Sequence, residues 1–227
     1  MTWLFDFWRS SIGGKVTMAV TGLVLFGFVV AHLIGNLQFL SAPEHINEYA
    51  HFLHREPALL WVARLTLLGA LALHVVTGLR LARGNRVARP VGYARVATLQ
   101  ASLASRSMVL TGLSTLVFLV YHLLHFTCGV VHHDDYARGV GVGGNLHATM
   151  TASFSHPLIV TAYVVGQLVL FFHLQHGIQS LAQTLGFTHA RCTPVVRTLS
   201  IVIAGLIAIL NTVIVTAVLT GLVKVAS

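Results

Sequence analysis

Between Ser107 and Val131 the chain runs for 25 residues without a formal charge, yet carries Tyr121-His122-Leu123-Leu124-His125 in its interior. An uncharged apolar run of that length is long enough to cross the hydrocarbon core of a bilayer as a helix, and a helix is one of the few structures that satisfies its own backbone there. Four more runs have the same character. The expected fold is all-α and integral to a membrane, a single domain over residues 1–227 with five transmembrane helices near 17–40, 58–79, 107–131, 158–181 and 198–223, four of them bundled around whatever the histidines bind. Composition agrees, at 56% hydrophobic and 9% charged, where a soluble domain carries about a quarter charged residues. All five prolines fall outside the runs, as helix interiors require.

The net charge of +8 would suit a nucleic-acid binder only if it formed a basic face on a soluble fold. Here it sorts by side of the membrane. The amino terminus and the second-to-third and fourth-to-fifth connections hold Arg9, Lys15, Arg80, Arg83, Arg86, Arg89, Arg95, Arg106, Arg191 and Arg197. The opposite side holds Arg55, Arg138 and Lys224 with five of the six acids. The positive-inside rule then puts the amino terminus in the cytoplasm and the carboxyl terminus outside. Residues 1–15 lack the apolar core and cleavage site of a signal peptide. Trp3, Phe5, Phe7 and Trp8 beside Arg9 read as an interfacial anchor.

With direction fixed, each intramembrane histidine acquires a depth. The first and third spans run outward, which puts His32 and His122 roughly 21 to 23 Å from the cytoplasmic end. The second and fourth run inward, and His74 and His173 come about 9 to 11 Å from that same end. Ionisable groups at such positions mark function, and two rings at one height on facing helices are what bis-imidazole haem ligation needs. The expectation is two b haems, an outer one on His32 and His122 and an inner one on His74 and His173, roughly 12 Å apart in height. No Cys-x-x-Cys-His motif occurs, so attachment would be non-covalent. Cys128 and Cys192 lie near opposite ends of different spans, beyond disulfide reach.

Several residues keep two readings. His125 and His176 each follow a ligand candidate by three residues; they serve as hydrogen-bonding groups or as proton handlers near a quinone. Arg64, a turn or two into the second span, either snorkels to the interface or pairs with a haem propionate. His132-His133-Asp134-Asp135 reads as solvated loop more readily than as a metal site. Gly22, Gly27 and Gly35 let a helix or a flat macrocycle come close to the first span.

The chain resembles the cytochrome b membrane-anchor subunit of succinate:quinone oxidoreductases, the complex II group that includes quinol:fumarate reductases, in its five-helix, two-haem form. The resemblance rests on Arg9-Ser10-Ser11-Ile12-Gly13-Gly14-Lys15 followed by Met18-Ala19-Val20-Thr21-Gly22, and on His32-Leu33-Ile34-Gly35-Asn36-Leu37. It extends to His74-Val75-Val76-Thr77-Gly78, to His122-Leu123-Leu124-His125, and to His173 four residues before Gly177-Ile178. It implies axial ligation by His32, His74, His122 and His173, a location in a prokaryotic cell membrane, and docking of a flavoprotein and an iron-sulfur subunit on the cytoplasmic face. Electrons would pass between the iron-sulfur subunit and a membrane quinone through both haems, with no dicarboxylate chemistry in this chain. Some two-haem fumarate reductases carry a proton-transferring glutamate two residues before the fourth-helix ligand; here Phe171 stands there, so a compensating proton path is not expected.

For the quinone, an outer site would draw on Glu48, Glu56 and His54 as proton donors or acceptors, and an inner one on Arg9, Ser10 and Ser11; the outer ranks first because the distal haem needs an acceptor. The alternative readings are the cytochrome b anchor of a formate dehydrogenase or hydrogenase, which usually has four spans, and a histidine-rich metal transporter, which would need further polar ligands within the spans.

Overall fold

This computed structural model describes residues 2–88, 107–139 and 144–224; Arg89, Arg95 and Arg106, counted above for topology, lie outside the described residues. The described residues form helices and turns without a strand. In chain order the helices are α1 (Thr2–Arg9), α2 (Ser11–Leu37, continued by a 3₁₀ turn to Leu40), α3 (Pro43–His54), α4 (Pro57–Val87), α5 (Met108–Phe126), α6 (His133–Gly139), α7 (Leu146–Phe154), α8 (Pro157–Thr184) and α9 (Cys192–Thr216). Five of them, α2, α4, α5, α8 and α9, are long and apolar enough to cross a membrane. Even the shortest, 19 residues, reaches about 28 Å. Large apolar side chains such as Leu59, Leu65, Leu68, Leu110, Val117 and Leu158 stand exposed along them, an outward face suited to lipid.

The helix ends depart from the expected spans for local reasons. The first begins at Ser11 rather than 17, because Ser10 caps it, its Oγ accepting the Gly13 N–H at 2.9 Å. Lys15 therefore belongs to the helix. The second continues past Leu79 through Arg80, Arg83 and Arg86 to Val87, since arginine is a good helix former; charge there ends the apolar run and not the helix. The third stops at Phe126 instead of 131, where Gly129 takes φ 62° and any side chain on it would collide with the Tyr136 ring. The fourth matches closely. The fifth starts at Cys192 and turns over after Thr216, six residues earlier than the apolar run suggests at its start and seven at its end.

The spans pack antiparallel in succession, α2 with α4, α5 with α8, and α8 with α9, while α2 also lies against α8. The two stretches expected as polar loops, Ser41 to Glu56 and Val131 to Ser155, instead contain α3, α6 and α7, which fold together as a cap at the acidic end. Asn47 ties the cap, its Nδ2 donating to Asn145 Oδ1 at 3.1 Å and its Oδ1 accepting the His147 N–H at 3.0 Å. Phe39 and Ile46 are fully buried beneath it, each contributing about 1.5–3 kcal/mol. The buried core, which runs through Leu33, Met150, Phe154, Ile159, Tyr163 and Ile214, is continuous with this cap. Both cysteines are free and exposed.

His147 of α7 is buried against Phe39, ring centroids 5.2 Å apart. Burial lowers its pKa below the ordinary value, and Glu44 acts weakly in the opposite direction. The cap therefore holds a neutral imidazole. Its contribution is complete above the unfolded value of about 6.5 and is lost as pH falls below that toward the lowered folded value. Hydrogen exchange corrected for intrinsic rates is expected to run faster in α3 and α7 at pH 5.5 than at pH 7.5, and His147→Phe to remove the difference; equal protection at both pH values would contradict this.

Candidate functional site

Four histidines face one another in two pairs inside the four helices α2, α4, α5 and α8. His32 and His122 have ring centroids 5.7 Å apart, with planes at 84°. His74 and His173 are 6.3 Å apart, with planes at 72°. The pairs join α2 to α5 and α4 to α8, diagonally across the hairpins that the sequence order makes.

Small residues make the room. Gly22 on α2 lies opposite His74, where an added Cβ would sit 3.4 Å from Cε1; Gly112 on α5 lies opposite His173, at 3.1 Å. These glycines also fix the register. Gly22 precedes His32 by ten residues, and Gly112 precedes His122 by ten, so the two pairs are about 15 Å apart along either helix. The 12 Å expected from span ends was short because those ends were misplaced.

Hydrogen bonds then settle which ring nitrogen is available. The Thr21 hydroxyl donates to Thr17 O at 2.7 Å, so the same oxygen accepts from His74 Nδ1 at 3.1 Å. His74 is thereby held with its proton on Nδ1 and the lone pair on Nε2. In the other pair, His122 Nδ1 lies 3.3 Å from the Tyr163 hydroxyl, which is also 3.0 Å from His125 Nδ1. One phenolic proton serves only one of these rings, so the two imidazoles take complementary tautomers. His125 spends its second nitrogen on Ser153 Oγ at 3.0 Å. With both nitrogens engaged and no exposure, it has no ring nitrogen left for a metal. His173 Nδ1 is buried and has no hydrogen-bond partner among the described residues. His176 is half-buried one turn on.

Each pair offers one metal two imidazole nitrogens. Among the described residues no three histidine, cysteine or acidic side chains converge, so a guest must bring its remaining donors with it.

The other candidates lie elsewhere. The Arg64 guanidinium sits over the exposed Trp61 ring at 5.3 Å, an interfacial posture. Glu56 and His54 are exposed, His54 Nδ1 bonding Ala50 O at 2.7 Å; no hydrogen bond or ion pair links them or Glu48 to the histidine pairs. Ser10 is occupied as the α2 cap, and Ser11 and Arg9 are exposed. His132, His133, Asp134, Asp135 and His156 line a shallow polar cleft beside α6, in which His156 Nε2 lies 3.7 Å from Asp135 Oδ2. Gly27 faces open space, whereas Gly35 lies under the Tyr49 ring.

Thr21, Tyr163 and Ser153 were not singled out from sequence, although a signal was present. Thr21-Gly22-Leu23 is followed by Phe28, Val30, His32 and Leu33, and Thr111-Gly112-Leu113 by Phe118, Val120, His122 and Leu123 at identical spacing. The partner helices repeat too, His74 and Gly78 against His173 and Gly177. The hairpin α2–α4 and the hairpin α5–α8 are thus two copies of one pattern, and both threonines are buried. No protein-family model matches the chain, and no curated protein and no solved structure matches it.

Proposed function

We propose that this chain is the dihaem cytochrome b membrane anchor of a succinate:quinone oxidoreductase, with one b haem between His32 and His122 and another between His74 and His173. The observation that carries the reading is the double pairing itself: four intramembrane imidazoles meet two by two, on facing helices, at two depths. A metal held at about 2 Å by one nitrogen of each ring separates the ring centroids by about 6 Å, close to both distances observed. Two protein ligands with no third donor nearby suit a metal whose other four positions are filled by a macrocycle. The sequence blocks from Arg9 to Gly22 and from His32 to Leu37 favour the complex II group over other cytochrome b anchors, and five membrane-length helices weigh against the four-span kind.

A haem b in each position supplies a one-electron carrier. The chain's residues do the rest. Thr21 holds His74 in the tautomer that presents Nε2, and Tyr163 orients His122 while taking its second contact from His125. Gly22 leaves room on α2 for the His74 ring of α4, and Gly112 leaves room on α5 for the His173 ring of α8. In this reading the basic end is cytoplasmic and receives the iron-sulfur subunit, itself bound to the flavoprotein. Haems held by the two pairs would supply one-electron carriers between that subunit and a membrane quinone, with the inner pair nearer the subunit.

The test is a pyridine haemochrome assay on the purified chain. About two b-type haems per chain are expected; one or none would overturn the reading.

A further inference from the structure

Below the inner histidine pair, on the side of the basic end, α4 carries His74, Thr77 and Arg80. Residues three apart are neighbours on a helix surface, so these three descend as one row along six residues, or about 9 Å of axis. Thr77 is fully buried, and its Oγ1 has no hydrogen-bond partner among the described residues. Arg80 Nη1 and Nη2 are likewise enclosed and without an acceptor. The guanidinium is held in place from two sides. Its face lies on the Trp8 ring at 4.1 Å, and Gly14 on α2 makes space for it, an added Cβ there falling 2.7 Å from Nη2.

A guanidinium never sheds its charge, and an enclosed one calls for an anion. Among the described residues no acid pairs with it, and Asp6, the one acid at the basic end, is exposed. The chain's six acids are Asp6, Glu44, Glu48, Glu56, Asp134 and Asp135, and the only ion pair among the described residues is that of His156 with Asp135; the segments outside the described residues contain no acidic side chain. The row also breaks the internal repeat, since the position matching Arg80 is Gln179, which donates to Ser200 Oγ at 2.8 Å. One side of the inner pair therefore carries two buried polar groups, a hydroxyl and a guanidinium edge, without partners among the described residues.

Resting on the dihaem reading, we propose that Arg80 and Thr77 bind a propionate carboxylate of the inner haem. The guanidinium offers the fork that matches a carboxylate, and Thr77 adds a neutral donor one turn nearer His74. Arg64, the propionate partner considered from sequence, is on the outward face against Trp61 and takes no part. A phospholipid phosphate shares the oxyanion chemistry and is the other source the experiment must separate.

The test is redox potentiometry and haem selectivity on the full-length chain. In membranes, Arg80→Gln is expected to keep two haems and to disturb only the one that His74→Ala removes. The ratio of oxidised to reduced iron at a fixed potential rises about tenfold for that haem, a fall of ~59 mV for a one-electron couple, because a positive charge opposing the ferric state is gone. Thr77→Val moves the same haem less, and Arg64→Gln moves neither. Loss of the inner haem alone from Arg80→Gln, with retention in Arg80→Lys, supports the proposal equally. In detergent, the stripped wild-type chain is expected to prefer haemin over haemin dimethyl ester at least tenfold at the inner site, and Arg80→Gln to erase that preference. Unmoved potentials and an undiminished preference in Arg80→Gln overturn the proposal. So does release of a co-purifying anionic phospholipid from that variant with both potentials unmoved, which assigns the guanidinium to a headgroup. A wild-type chain without haem overturns the functional reading instead, and the two failures are thereby distinguished.

Discussion

Replacing His32 by alanine and replacing His122 by alanine should erase the same haem. Each variant is expected to retain about half the haem of the parent chain, with one redox component missing and the other at its normal potential, as measured by reduced-minus-oxidised spectra during a redox titration. The rings sit 5.7 Å apart on α2 and α5, so neither can hold an axially paired iron without the other. Their supports differ. His32 is stacked on Phe28 at 5.4 Å, whereas His122 is steered by Tyr163. Substitution of His125 gives the contrast that makes the result specific. Both of its nitrogens already have partners in Tyr163 and Ser153, so His125→Leu should keep two haems despite standing only three residues from His122. If His32→Ala and His122→Ala removed different components, the pairing would be wrong.

The second large effect belongs to the other pair. His74→Ala and His173→Ala should each remove the inner haem and lower succinate-dependent quinone reduction in the assembled complex at least a hundredfold, with dicarboxylate oxidation by artificial dye acceptors largely preserved. The reason is geometric. The pairs are about 15 Å apart along the helices, and the inner one stands between the basic end and the outer pair, so its loss would interrupt the proposed electron path. Dye-linked activity unaffected alongside full quinone reduction would mean that electrons reach the quinone without passing this pair.

Much of the frame could be read from the sequence because membrane helices write themselves in hydropathy: five apolar runs, only one of them interrupted by a charge at Arg64, correspond to the five long helices. The facing of His32 with His122, and of His74 with His173, followed from arginine asymmetry and the rise per residue, two quantities that survive errors of several residues at the helix ends. The ends themselves did not follow. Lys15 and Arg80 look like boundaries in a hydropathy reading, yet Ser10 starts α2 by a capping bond and α4 runs on to Val87. The cap was hidden for another reason. Its core is made by a few scattered residues, Phe39, Ile46 and Phe154, brought together over long sequence separations and tied by the Asn47 side chain; no local periodicity announces that. Thr21 was missed because a threonine hydroxyl in an apolar helix commonly bonds its own backbone, as it does here to Thr17, and Tyr163 because only the rings across the groove reveal its use.

The repeated Thr-Gly-Leu to His pattern has a consequence for symmetry. Since α2 and α5 start from the same end, the two hairpins are related by rotation about an axis along the membrane normal, the parallel kind of internal repeat. Each histidine pair then straddles that axis, one ring from either copy, as it would at the interface of a two-fold dimer. Each half of the bundle thus contributes one member of both histidine pairs, so neither half completes a pair alone. Arg80 against Gln179, and the additional helix α9 on one flank, are where the two halves differ, giving an otherwise two-fold arrangement a left and a right.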